Sequence, residues 1–168
     1  TLFLIIPFIA FCSDFYWVNG SGNWNDSGHW SSVSGGIAGS EVPTSSDNVI
    51  FDENSFNDYN QKILIDSYVH CKDLIIKKKS KTPVLEGKSN TSIELSGSLN
   101  IEGDFTNNFS GQLIFNSIGD CSLFYTEIFY SDIIKTGTGS LNFLSDVSTI
   151  KNIILISGSL NTKGFSVD

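Results

Sequence analysis

The densest group of hard oxygen donors in the chain is Asp47, Asp52, Glu53 and Asn54, the residue types that hold Ca²⁺. Asp47, Asp52 and Asn54 are the ligands such an ion would take. Their spacing lacks the Asp-x-Asp-x-Asn-Gly order of a calcium loop, and side-chain bonds within a turn account for the same residues. A second group, Trp24, Asp26, His29 and Trp30, joins aromatic rings to polar groups, the combination that stacks on a sugar ring and binds its hydroxyls, with Asn23 alongside. The alternative for these indoles is a buried plug at one end of a core. Catalysis would need acids clustered with a base. His29 and His70 are the only histidines, Arg is absent, and Glu102 and Asp104 form the one close pair in the repeat region at the two-residue spacing that places carboxylates on one strand face. No catalytic residue is assigned and the chain reads as a non-enzyme. An acidic groove running along the fold would instead favour a polysaccharide lyase or glycoside hydrolase fragment.

The elements that must position these residues follow from composition. The 168 residues are 40% hydrophobic and 17% charged, with a formal net charge of −8, apolar enough to bury a core. All ten basic residues are Lys, so no guanidinium is available to fork onto a phosphate or a base edge, and nucleic acid is a poor partner. Residues 1–12 are apolar except for Thr1, too short for a bilayer span but suited to a signal peptide core, with cleavage expected after Cys12. The rivals are lipidation of Cys12 and a buried strand. No later apolar stretch approaches the length that a bilayer span requires, so no stable membrane span is expected and the chain reads as secreted or cell-surface. Cys71 and Cys121 then remain, able to pair or to serve as small core residues.

Residues 13–60 are rich in Gly, Ser, Asn and Asp around Trp17, Trp24 and Trp30, and form an aromatic N-terminal cap. From 61 to 168 short Ile, Leu and Phe stretches alternate with turn residues, which predicts strands of three to five residues and no ordinary helix. Ser96-Gly97-Ser98-Leu99-Asn100 returns as Thr138-Gly139-Ser140-Leu141-Asn142 and as Ser157-Gly158-Ser159-Leu160-Asn161. The gap from Leu99 to Leu141 is about twice that from Leu141 to Leu160, which gives a period of roughly 20 residues counted as two turns and one. A unit so small must stack on its neighbours, and the expected fold is all-β: a right-handed parallel β-helix, with a β-sandwich as the alternative. Leu99, Leu141 and Leu160 are expected in one inner column, with Ile101 and Phe143 inward and Asn100 and Asn142 outward. The last repeat carries no polar cap, so further rungs or domains are expected to follow.

The succession Tyr16-Trp17-Val18, Gly20-Ser21-Gly22-Asn23-Trp24, His29-Trp30-Ser31, Pro43-Thr44 and Asp47-Asn48-Val49-Ile50-Phe51-Asp52 resembles the amino-terminal segment of large secreted, repeat-containing surface proteins of Bacteroidetes-type bacteria. The unit Gly158 to Gly164 resembles that family's later rungs, while Asn48 stands where the family more often has a second Asp. The resemblance covers nearly all of the chain after residue 12. It implies export, often by the type IX route, and an adhesin-like or structural role whose partner would be an extracellular polysaccharide or a cell-surface component. It implies no chemistry.

Overall fold

The structure is a computed structural model that describes residues 12–39, 41–78 and 81–168. The expected signal segment lies outside the described residues except for Cys12, which is exposed. The chain opens with β1 (Asp14–Trp17), β2 (Gly22–Asn23), a 3-10 turn at Ser27–His29 and β3 (Trp30–Ser31). Five three-strand turns follow: β4 (Asn48–Phe51), β5 (Lys62–Ile65), β6 (Tyr68–Cys71); β7 (Leu74–Ile76), β8 (Val84–Gly87), β9 (Ser92–Leu95); β10 (Leu99–Ile101), β11 (Thr106–Phe109), β12 (Gln112–Phe115); β13 (Cys121–Phe124), β14 (Ile128–Phe129), β15 (Asp132–Lys135); and β16 (Ser140–Phe143), β17 (Ser148–Thr149), β18 (Ile153–Leu155). β19 (Ser159–Asn161) begins the next turn. Every third strand pairs in parallel, giving an eight-stranded sheet β19-β16-β13-β10-β7-β4-β1-β3, a second face β11-β8-β5-β2 continued by the separate pair β14-β17, and a third sheet β18-β15-β12-β9-β6. This is a parallel β-solenoid. Stacking reaches back to β1 and β4, so the expected boundary at residue 60 falls inside the first full turn.

Alternation makes the core. In Lys62–Ile65 the isoleucines are buried and Lys62 and Leu64 exposed, and in Gln112–Phe115 Leu113 and Phe115 point inward. On the third sheet Val69, Ile93, Leu113, Ile133 and Ile153 stack in register. Beside them runs Cys71, Leu95, Phe115, Lys135 and Leu155. Lys135 therefore sits in an apolar column, 2% exposed, and its ammonium donates to the Gly137 carbonyl at 2.6 Å. Cys71 and Cys121 are both buried and unpaired, because they project from different sheets, one in the first turn and the other in the fourth. Burial pushes both thiols above their ordinary value, with Asp73 adding to the effect at Cys71.

The leucines share one sheet but not one column. Leu141 pairs with Leu160, whereas Leu99 pairs with Leu123, which pairs with Phe143. The first turns are longer than the expected period: Val49, Leu74 and Leu99 lie 25 apart, and Leu123 follows Leu99 by 24. The longer turn shifts the register by two, and a two-residue shift leaves the same side chains inward. Ile101 and Phe143 are accordingly buried, while Asn100 and Asn142 face outward.

The two ends differ. β3 runs antiparallel along β1 and ends the parallel ladder there. Behind it Trp17, Trp24 and Trp30 are 0% exposed, packed edge to face with ring centroids 5.0 and 5.1 Å from Trp30. The Trp30 indole donates to the Trp24 carbonyl at 2.7 Å. At the other end Leu155, Ile156, Phe165 and Val167 are exposed. No helix among the described residues is long and apolar enough to cross a membrane.

Candidate functional site

The corner between the first and second faces changes width along the column. The loop from β7 to β8 spans seven residues, 77–83, but the next corners are residues 102–105, 125–127 and 144–147. Behind the long loop the short corners leave a cleft of ≈ 940 Å³ that crosses four turns. A second, shallower cleft lies between β11 and β14, where the ladder of the second face is interrupted, and shares Phe105, Tyr125 and Glu127 with the first.

The floor of the main cleft is the outward row of the eight-stranded sheet. Ile75, Asn100 and Phe124 are in register, and Leu144 continues the row after Phe143. Glu102, Asp104 and Glu127 rise from the short corners, all exposed. Among the described residues Asp73 completes a set of four carboxylates against the single ammonium of Lys78; it accepts from the Ser98 amide at 2.6 Å. The Asn100 side-chain amide donates to Glu102 at 3.1 Å. Phe105 packs edge to face on Tyr125 (6.0 Å), and Tyr125 on Phe129 (4.8 Å). Burial, and then the nearby Glu127 carboxylate, push the Tyr125 phenol above its ordinary value. Hydrolysis of a glycosidic bond needs one carboxyl kept protonated in apolar surroundings opposite a second. Here Glu102, Asp104 and Glu127 stand exposed beside an apolar strip.

The residues singled out from sequence lie elsewhere, apart from Glu102 and Asp104. Trp24 and Trp30 present no face to solvent, so neither offers a ring to a sugar. The first turn must close its apolar end, and the indoles are consumed in doing so. His29 stacks flat on Trp17 at 4.7 Å, its Nδ1 is 2.9 Å from the Val18 carbonyl, and its ring occupies the space above Gly22 that a Cβ would fill. Asp26 is exposed and accepts from the Gly28 amide at 2.8 Å. Asp47 and Asp52 do not converge. They flank opposite ends of β4, roughly 16 Å apart along an extended strand. Asp47 is held by the Thr44 amide and hydroxyl and the Ser13 amide, Asp52 by the Ser34 hydroxyl and the Asn54 amide. Asn54 turns its side-chain amide to Ser34. These are turn bonds, and no single Ca²⁺ could be reached by both carboxylates. His70 lies on the outer side of β6 beside Tyr68, 5.7 Å between rings.

Sequence reasoning missed Phe124, Ile75, Leu144 and Glu127. The outward position of Phe124 follows from alternation with Leu123, but its neighbours follow only from the register. No protein-family model matches this chain, and no match is found among curated proteins or solved structures.

Proposed function

We propose that the chain is a non-catalytic, adhesin-like structural module of a larger secreted or cell-surface protein, a stiff column that holds other parts away from a surface. The observation that carries this reading is the unbroken apolar core. Inner residues stack in register from Val49, beside the Trp cluster, through Leu74, Leu99, Leu123 and Phe143, so among the described residues each of these turns is fixed by both neighbours. An exterior rich in Ser and Asn, with no Arg, supports an extracellular setting.

The test is a distance and a location. Spin labels at Asp14→Cys and Asn161→Cys, in a Cys12→Ser background, flank six strand spacings, about 29 Å at ~4.8 Å each. One narrow distance distribution near that value is expected, together with labelling of intact producing cells by an antibody to the chain. A broad distribution, or labelling only after lysis, overturns the proposal.

A further inference from the structure

The cleft floor differs from the rest of its sheet. Outward positions nearby are Ser98, Ser122 and Asn142, with Ser140 bonded to Ser159 and Asn142 to Asn161 as polar ladders. The row Ile75, Asn100, Phe124, Leu144 is instead apolar at three of four places, and Leu144 is 44% exposed. It crosses three strand spacings, roughly 14 Å. Each spacing is comparable with the length of one sugar ring, so the strip could seat about three rings end to end.

We propose that this cleft binds a linear, uncharged polysaccharide lying along the solenoid axis. Sugar rings would place their C–H faces on Phe124, Ile75 and Leu144. Their hydroxyls would donate to the side-chain oxygens of Glu102, Asp104 and Glu127. Charge selects against an anionic glycan, since four carboxylates face one ammonium among the described residues. Topology selects against a peptide. β7, β10, β13 and β16 are each paired on both sides within the sheet, so an extended chain finds no free backbone edge to extend. The inference goes beyond the column reading, because a column needs no ligand.

Calorimetric titration of the chain with cellohexaose, xylohexaose and mannohexaose tests it, with hexagalacturonate and hexalysine as the charged competitors. At least one neutral hexasaccharide should bind. Phe124→Ala should weaken that affinity by about tenfold or more, and the double variant Glu102→Gln/Asp104→Asn by several-fold. Both changes lie on the outer surface, so circular dichroism and melting should match the parent. If Phe124→Ala disturbs the fold, the carboxylate variant carries the test alone. Failure of every neutral hexasaccharide to bind the folded chain overturns the proposal. So does unchanged affinity in the folded variants, or preference for hexalysine or hexagalacturonate. None of these outcomes touches the spin-label distance, so the two proposals fail separately.

Discussion

Trp30→Ala removes the centre of the cap, and its cost can be worked from the contacts. The side chain is 0% exposed and meets Trp17, Trp24, Phe15 and Phe51 at centroid distances of 5.0, 5.1, 6.5 and 6.3 Å. Burying up to ~250 Å² at ~25 cal/mol/Å² sets an upper bound near 6 kcal/mol. Residual burial in the unfolded chain lowers this by up to ~40%, and the retained Cβ lowers it further. A loss of about 4 kcal/mol is expected, within the range for Trp or Phe to Ala in cores. Trp30→Phe keeps a ring but removes the donor to the Trp24 carbonyl, so it should cost only about 1–2 kcal/mol. Guanidinium unfolding followed by far-ultraviolet circular dichroism avoids the change in indole fluorescence. Ile37→Ala, at a position 94% exposed, should stay within ~0.5 kcal/mol. A loss below ~1.5 kcal/mol for Trp30→Ala, or equal losses for the Ala and Phe variants, would refute the plug.

Two glycines separate packing from propensity. A Cβ on Gly137 would run into the Ser117 carbonyl oxygen, whereas one on Gly119 meets nothing within 4 Å; thermal unfolding should therefore show Gly137→Ala destabilised by more than ~2 kcal/mol, and Gly119→Ala neutral or slightly stabilised. The Tyr68 phenol is pushed up to about 12 by burial and then by the Glu94 carboxylate beside it. The unfolded chain therefore ionises first, and the stability this group contributes is complete below pH 10 and lost as the pH rises from 10 to 12. Ultraviolet phenolate titration should show late-ionising phenols, and Tyr68→Phe should remove one phenol's amplitude near pH 12 while Tyr125 still ionises late.

Particular residues show what the sequence could carry. Inward alternation was legible wherever Ile, Leu or Phe stand two apart, as at Ile93 and Leu95, because the pleat has a period of two whatever the loop lengths. The same rule places Lys135 inward, two after Ile133, although a strand-ending Lys reads by type as solvated. The repeat period was legible only where the corners are short. The early turns are longer because they carry insertions such as the loop 77–83, and loop insertions leave the core pattern untouched. The cap followed from indole size, since three Trp in a polar segment have few other places to go. The metal and sugar groupings are not gathered into one place, because closeness in sequence does not bring side chains together across a strand or keep an indole in water.

The cleft depends on the register step between β10 and β13. Had Leu99 continued the column of Cys121 and Leu141, Asn100 would lie beside Ser122, and the outer face would carry an uninterrupted Ser and Asn row. The longer turn moves the pairing on by two residues, so Leu99 meets Leu123 and Asn100 meets Phe124. Inside, the step costs little, because Cys121, Leu123, Leu141 and Phe143 are all apolar and any even shift buries one of them. Outside, it replaces a hydroxyl by an aromatic ring and aligns that ring with Ile75 below and Leu144 above. Core and surface thus answer to different features of one sequence. The core tests only whether alternate residues are apolar, and so tolerates turns of unequal length. The surface depends on the turn length itself, because that length decides which outward residues become neighbours. A change that added or removed two residues between Ile101 and Cys121 would leave the column standing and dissolve the strip.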